Sequence, residues 1–214
     1  MGFVEAKGQI IVEKLAQMIH ENRTYLSEID GAIGDGDHGI NMDKGFSMAA
    51  QQLKNKELGL SEALKVLGNI LLEEIGGSMG PLYGTFFRRM ARVAKTKEQI
   101  DAVVFEEMLQ QGLEGLQSIG NAKVGDKTLL DTLVPALDAL KEANQVKKQF
   151  KEALNAMVVA AKNGMDSTVE MVAKVGRASR LGERSRGVLD AGATSCYLIL
   201  KTMAEEMINL ESLQ

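Results

Sequence analysis

Asp30, Asp35 and Asp37 fall within eight residues, in the run Asp30-Gly-Ala-Ile-Gly-Asp35-Gly-Asp37-His38-Gly-Ile-Asn41, with Gly31, Gly34 and Gly36 between them. Carboxylates so crowded repel one another unless a partner compensates them. A hard divalent cation is the usual partner, and Mg²⁺ takes oxygen ligands that it commonly shares with substrate phosphates. The glycines supply the backbone freedom that lets so short a loop converge on one point. A solvated acidic turn is the plainer alternative.

Two better-known motifs resemble this run, and neither fits. Gly34-Asp-Gly36-Asp-His-Gly39 has the glycine spacing of a dinucleotide-binding turn. That turn needs a strand before it and phosphates laid on bare amides, whereas an amphipathic helical pattern precedes this one and its aspartates repel a naked pyrophosphate. Read from Asp30 as a calcium-binding EF-hand, the loop has Asp35 where glycine is required and Asn41 where a bidentate glutamate belongs. A metal bridging protein carboxylates to phosphates survives both comparisons.

Such a loop needs a scaffold. The 214 residues suffice for a sizeable core, and a hydrophobic share of 45% with only 4% aromatics, 12 Met and 2 Pro favours helix over sheet. Apolar residues recur at steps of four and three almost throughout. Ile11, Leu15, Met18, Leu26 and Ile29 share one face, and the acidic loop follows them. Leucines mark 61–75, 101–119 and 128–141, and weaker segments cover 41–56 and 81–94. The clearest stripes are Phe150, Leu154, Met157, Ala161, Gly164, Thr168, Met171, Val175 and Leu189, Ala193, Cys196, Leu200, Met203, Met207, Leu210. No strand-like alternation competes with them. The reading is an all-α, single-domain, eight-helix up-and-down bundle over 1–214.

Net charge of −4 offers nucleic acid and anionic membrane no general attraction, and no apolar run approaches the length of a membrane span. The single cysteine, Cys196, lies on an apolar stripe and suits a reducing compartment, so a cytoplasmic location is expected. His20 falls mid-helix and reads as structural, and His38, beside the carboxylates, as a ligand contact rather than a general base.

Glycines gather between the helical segments. Gly76-Gly77-Ser78-Met79-Gly80 exceeds what helix capping needs, and bare amides ahead of a helix form a natural phosphate cradle. Gly120 to Thr128 and Gly187 to Thr194 each miss the P-loop pattern by one feature, and neither follows a strand. Thr128 to Asp131 reads as a capping box instead. Lys174, Arg177, Arg180, Arg184 and Arg186 form a basic run, either a solvated helix end or a partner for phosphates or an acidic surface.

Together the four loops resemble the ADP-binding L subunit of bacterial dihydroxyacetone kinase, a unit that also forms the C-terminal domain of ATP-dependent dihydroxyacetone kinases. The matching residues are Gly34 to Gly39 with Asn41 and Met42, Gly76-Gly77 with Gly80 to Gly84, and Gly125 to Thr128 with Asp131. Gly176 to Ser179, Leu181 to Ser185, Asp190, Gly192 and Ala193 complete them. The resemblance implies an eight-helix barrel with the nucleotide among the loops at one end. It implies that Asp30, Asp35 and Asp37 hold two Mg²⁺ ions bridging to ADP or ATP. His38, Gly39, Ile40, Asn41, Gly77, Ser78 and Met79 would contact the phosphates, and Gly120, Leu129, Arg177, Asp190, Ala191 and Gly192 the rest of the nucleotide. Three residues depart from the family pattern: Met79 where small residues are expected, Arg180 where an aromatic is usual, and Ala191 where proline is common.

A free-standing L unit further implies that ADP is phosphorylated in place by a phosphohistidine on an M-type partner. The γ-phosphoryl would then pass to dihydroxyacetone held on a K-type subunit, and no side chain of this chain would act as nucleophile. Three alternatives share the site: a kinase subunit for another small ketose, one using free ATP, and a nucleotide-occupancy sensor for a transcriptional regulator.

Overall fold

Among the described residues the helical periodicity becomes eight α-helices: α1 (Gln9–Ile33), α2 (His38–Leu53), α3 (Leu60–Glu74), α4 (Met79–Ala94), α5 (Ala102–Ile119), α6 (Leu130–Gln145), α7 (Phe150–Ser167) and α8 (Ala191–Ser212). The computed structural model describes residues 2–213. Each helix packs against its neighbour in sequence, and α1 also meets α8, closing the ring. The stripes read from the sequence face inward. Along α8, Ala193, Cys196, Leu200, Met203, Met207 and Leu210 are all buried. Each such leucine or methionine removed from water contributes about 1.5–3 kcal/mol before entropy is subtracted. Cys196, only 2% exposed, is core filler, as its place on the stripe suggested.

Aromatics are few but concentrated. Phe87 lies 5.9 Å from Phe46, 5.3 Å from Phe86 and 6.1 Å from Tyr83, centroid to centroid. This cluster on α2 and α4 fills the barrel below the glycine loop of residues 75–78. His20 bridges α1 to α2, its Nδ1 lying 3.0 Å from Asp43 Oδ1, so its role is structural as expected.

Three details differ from the sequence reading. α1 runs on to Ile33, so Asp30 belongs to its last turn rather than to a loop. α7 stops at Ser167 instead of continuing to Val175, because hydroxyls there claim main-chain carbonyls: Ser167 Oγ donates to Gly164 O at 2.7 Å and Thr168 Oγ1 to Met165 O at 2.7 Å. A short two-stranded sheet also forms, β1 (Gly2–Val4) pairing antiparallel with β2 (Gln99–Asp101), held by the fully buried Phe3 and Ile100.

Alternating helix direction sorts the connections. Those joining α1 to α2, α3 to α4, α5 to α6 and α7 to α8 line one cavity, at one end of the barrel. The other three, with the sheet, close the opposite end.

Candidate functional site

Carboxylate oxygens of Asp30, Asp35 and Asp37 come within 4.8 Å of one another at one wall of this cavity. The last turn of α1 fixes Asp30, whose Oδ2 accepts the His38 amide at 3.3 Å and so ties the end of α1 to the start of α2. Between them the chain turns sharply through Gly36 at φ 76°, a conformation that side-chain-bearing residues rarely adopt. Arg177 reaches across from the segment between α7 and α8 to pair with Asp35. An all-oxygen set this tight suits a hard cation such as Mg²⁺ and fits no soft metal.

The opposite wall is the connection from α3 to α4. At Gly76 and Gly77 the space where a Cβ would stand is open, and Ser78 makes no side-chain cap bond. The hydroxyl and the first amides of α4 are therefore not spent on the helix. The buried Met79, Tyr83, Leu116, Leu129 and Leu130, with the half-exposed Ile119, give the cavity, of about 530 Å³, an apolar half. A volume of that order holds a drug- or nucleotide-sized ligand.

His38 and Asp190 are half-buried in its lining. His38 Nε2 hydrogen-bonds Ser195 Oγ at 3.0 Å, and Ser195 Oγ lies 2.7 Å from the Tyr83 hydroxyl. Burial pulls the imidazole down to about 4, so it is neutral at pH 7. Asp190 caps α8, its Oδ2 accepting the Ala193 amide at 2.7 Å, while burial pushes its carboxyl up to about 6.

The Asp190 shift has a measurable consequence. Between about pH 4 and pH 6 the folded carboxyl keeps a proton that the unfolded chain has released, so stability falls as pH rises through that window. His38 acts in the opposite sense, adding stability as pH rises from about 4 to about 6.5. Asp190→Asn keeps a capping oxygen and isolates the first effect. Urea unfolding across this range should show that about 3 kcal/mol of pH dependence separates the parent from the variant. Parallel pH profiles would refute the proton-holding Asp190.

Of the residues singled out from the sequence, Asp30, Asp35, Asp37, His38, Asn41, Gly77, Ser78, Met79, Gly120, Leu129, Arg177, Asp190, Ala191 and Gly192 line this one cavity. Gly39 and Ile40 do not. Gly39 packs against Arg23 of α1 and Ile40 is 49% exposed, so what they offer is the main-chain N–H of a helix start. Arg177 stands at the carboxylate end of the cavity, not beside its apolar half. Met79 is buried as the first residue of α4, Arg180 is exposed, and Ala191 opens α8, a position where proline is favoured.

Sequence reasoning missed Lys127, Tyr83 and Ser195. Tyr83 stood within a matched motif, but nothing in the pattern signalled its bond to a residue 112 positions away. The Thr128–Asp131 cap is present in modified form: Asp131 Oδ2 accepts the Thr128 amide at 2.7 Å and Oδ1 the Gly125 amide at 2.5 Å. Asp131 thus folds the turn before α6 back on itself.

Residues 32–205, which contain all four cavity loops except Asp30, match the DAK2 domain. The chain belongs to the DAK2 domain family. Within it, the chain is 39% identical over 183 residues to the ADP-binding subunit DhaL of the PEP-dependent dihydroxyacetone kinase of Escherichia coli K12, covering 84% of this chain and 86% of that one. It is 38% identical over 193 residues to DhaL of the PTS-dependent enzyme of Lactococcus lactis, covering 90% and 92% respectively. These DAK2 relatives are kinase subunits, which sets the chain among the phosphotransferases. The crystal structure of dihydroxyacetone kinase from C. freundii in complex with AMP-PNP and Mg²⁺ superposes with a TM-score of 0.69 at 25% identity. That match takes in 96% of this chain and 35% of the longer one. No helix among the described residues is long and apolar enough to cross a membrane.

Proposed function

We propose that the cavity holds ADP with two Mg²⁺ ions at Asp30, Asp35 and Asp37, and that the chain is the nucleotide-carrying subunit of a dihydroxyacetone kinase. The observation that carries this is the pairing, in one cavity, of three convergent carboxylates with an open glycine loop and an apolar half. When bound, the metal neutralises charge on the phosphates during phosphoryl transfer, and the nucleotide is itself the phosphoryl carrier. The relatives named for PEP- and PTS-dependent enzymes support a phosphohistidine protein as donor and a separate K-type subunit as holder of dihydroxyacetone.

The residues of this chain then bind and orient. Asp30, Asp35 and Asp37 ligate the cation. The amides of Gly39 and Ile40, the side chains of His38 and Asn41, and the amides of Gly77 to Met79 with the Ser78 hydroxyl receive phosphate oxygens at two helix starts. His38, neutral and anchored through Ser195, adds no charge that would compete with the metal. Arg177 balances Asp35 and stands ready to meet phosphate instead. Leu116, Ile119, Leu129 and Leu130 exclude water from the base, with Gly120 and the Asp190–Gly192 turn shaping that end.

Mass spectrometry of nucleotide released by denaturing freshly purified protein, with a magnesium count, tests this. Near-stoichiometric ADP with about two Mg²⁺ is the expected result. Protein that emerges empty and binds ATP only when it is added would overturn the captive coenzyme in favour of a free-ATP kinase or a sensor.

A further inference from the structure

A lysine is almost never fully buried unless it is paired, yet Lys127, in the turn before α6, is only 2% exposed. Its main chain is held in the left-handed region at φ 63°, which L-residues avoid unless their surroundings impose it. The ammonium is spent on three main-chain carbonyls: Nζ donates to Ser185 O at 2.6 Å, to Val188 O at 2.6 Å and to Met171 O at 3.3 Å. Three donors meet three acceptors, and charge-assisted bonds of this kind offset the cost of burying the ion. Although Lys127 lines the cavity, no proton remains on Nζ for a phosphate, which separates it from the lysine of a P-loop.

All three carbonyls belong to the segment joining α7 to α8. Met171 lies on its outgoing limb, and Ser185 and Val188 on its return. One ammonium therefore ties both limbs to each other and to the base of α6. Smaller ties repeat the pattern: Gly187 N donates to Val169 O at 2.7 Å, and Ser185 Oγ accepts from Ala173 N at 2.9 Å. Between the limbs, Val175 to Ala178 line the cavity and Arg177 pairs with Asp35; just beyond the return limb stands Asp190.

We propose that Lys127 is a positioning residue, which presents Arg177 and the Asp190–Gly192 turn to the bound nucleotide by clamping the two limbs of the segment between them. The proposal rests on the nucleotide reading above. It adds an internal lysine that touches no ligand yet sets affinity.

A double-mutant cycle with Lys127→Met and Arg177→Ala, read as Kd for Mg–ADP, tests it beside trypsin digestion of the unliganded protein. Trypsin can cut after Lys174, Arg177, Arg180, Arg184 and Arg186, all between the clamped ends. Lys127→Met should weaken Mg–ADP binding roughly ten- to a hundredfold and speed cleavage in this segment, with helical content unchanged. Arg177→Ala should weaken binding in the parent but add little in the Lys127→Met background, because its side chain is already misplaced. Additive effects would show Lys127 to be merely structural and overturn the proposal, as would parental affinity and parental cleavage. Should Lys127→Met not reach parental helicity, Lys127→Gln takes its place in the cycle. If the parent itself binds no Mg–ADP, the nucleotide reading fails, and the digestion alone then decides whether the clamp exists.

Discussion

Asp37→Asn should weaken Mg–ADP binding at least about a hundredfold while leaving the melting temperature of the unliganded protein unchanged or slightly raised. The two halves of this expectation have one cause. Asp37 precedes α2 but makes no side-chain cap bond, and it is exposed, so the folded chain loses no internal partner. Removing one of three carboxylates within 4.8 Å instead relieves repulsion. Ligand binding has no such freedom, because an amide offers the cation a neutral oxygen in place of a charged one. Circular dichroism melting and the nucleotide content of the purified variant check both halves. Full retention of Mg–ADP would sink the assignment of Asp37 as a metal ligand, and a large loss of helix would show that the loop is a folding element first.

Gly39→Ala should be the most damaging conservative change in the site. A Cβ built at Gly39 collides with the Arg23 carbonyl of α1 and lies 2.7 Å from Ser27 Oγ. The main chains of α1 and α2 touch here, and backbone yields far less readily than a side-chain tip. Overpacking of this kind costs about 1–3 kcal/mol, or roughly 2–12 °C for a chain of this size. The start of α2 must shift to relieve the contact, carrying Asp37 and His38 with it, so metal affinity falls along with stability. Gly76→Ala is the control, since nothing lies within 4 Å of its added methyl. Equal melting temperatures for the two variants would refute the close approach.

Much of this could be read in the sequence, for identifiable reasons. The helices were legible because their stripes bury one face each, as along α8. The acidic loop was legible because like charges at short spacing demand compensation, and sequence distance alone brings them together. What escaped depends on contacts remote in the chain. Lys127 stood in the matched Gly125–Thr128 run, yet its role is set by carbonyls 44 to 61 residues away that close around it. The end of α7 was overrun because Thr168, Met171 and Val175 continue the apolar period, whereas local hydroxyl-to-carbonyl bonds decide where the helix stops. The strands β1 and β2, three residues each, are too short to show alternation at all. Tyr83 and Ser195 were missed because their partnership crosses the barrel from α4 to α8.

The sorting of connections by end also bears on how such a unit can be joined to others. β1 pairs with β2 at the end opposite the cavity, and α8, which starts at the cavity, finishes at that same far end. The first and last described residues, Gly2 and Leu213, therefore lie away from the cavity. A neighbouring domain spliced on at either side enters from behind, without threading past the cavity. This geometry makes the barrel portable, as where the matched unit forms 35% of the longer C. freundii chain. On the proposed function, the face that opens toward a phosphoryl donor and an acceptor is the one opposite the sheet.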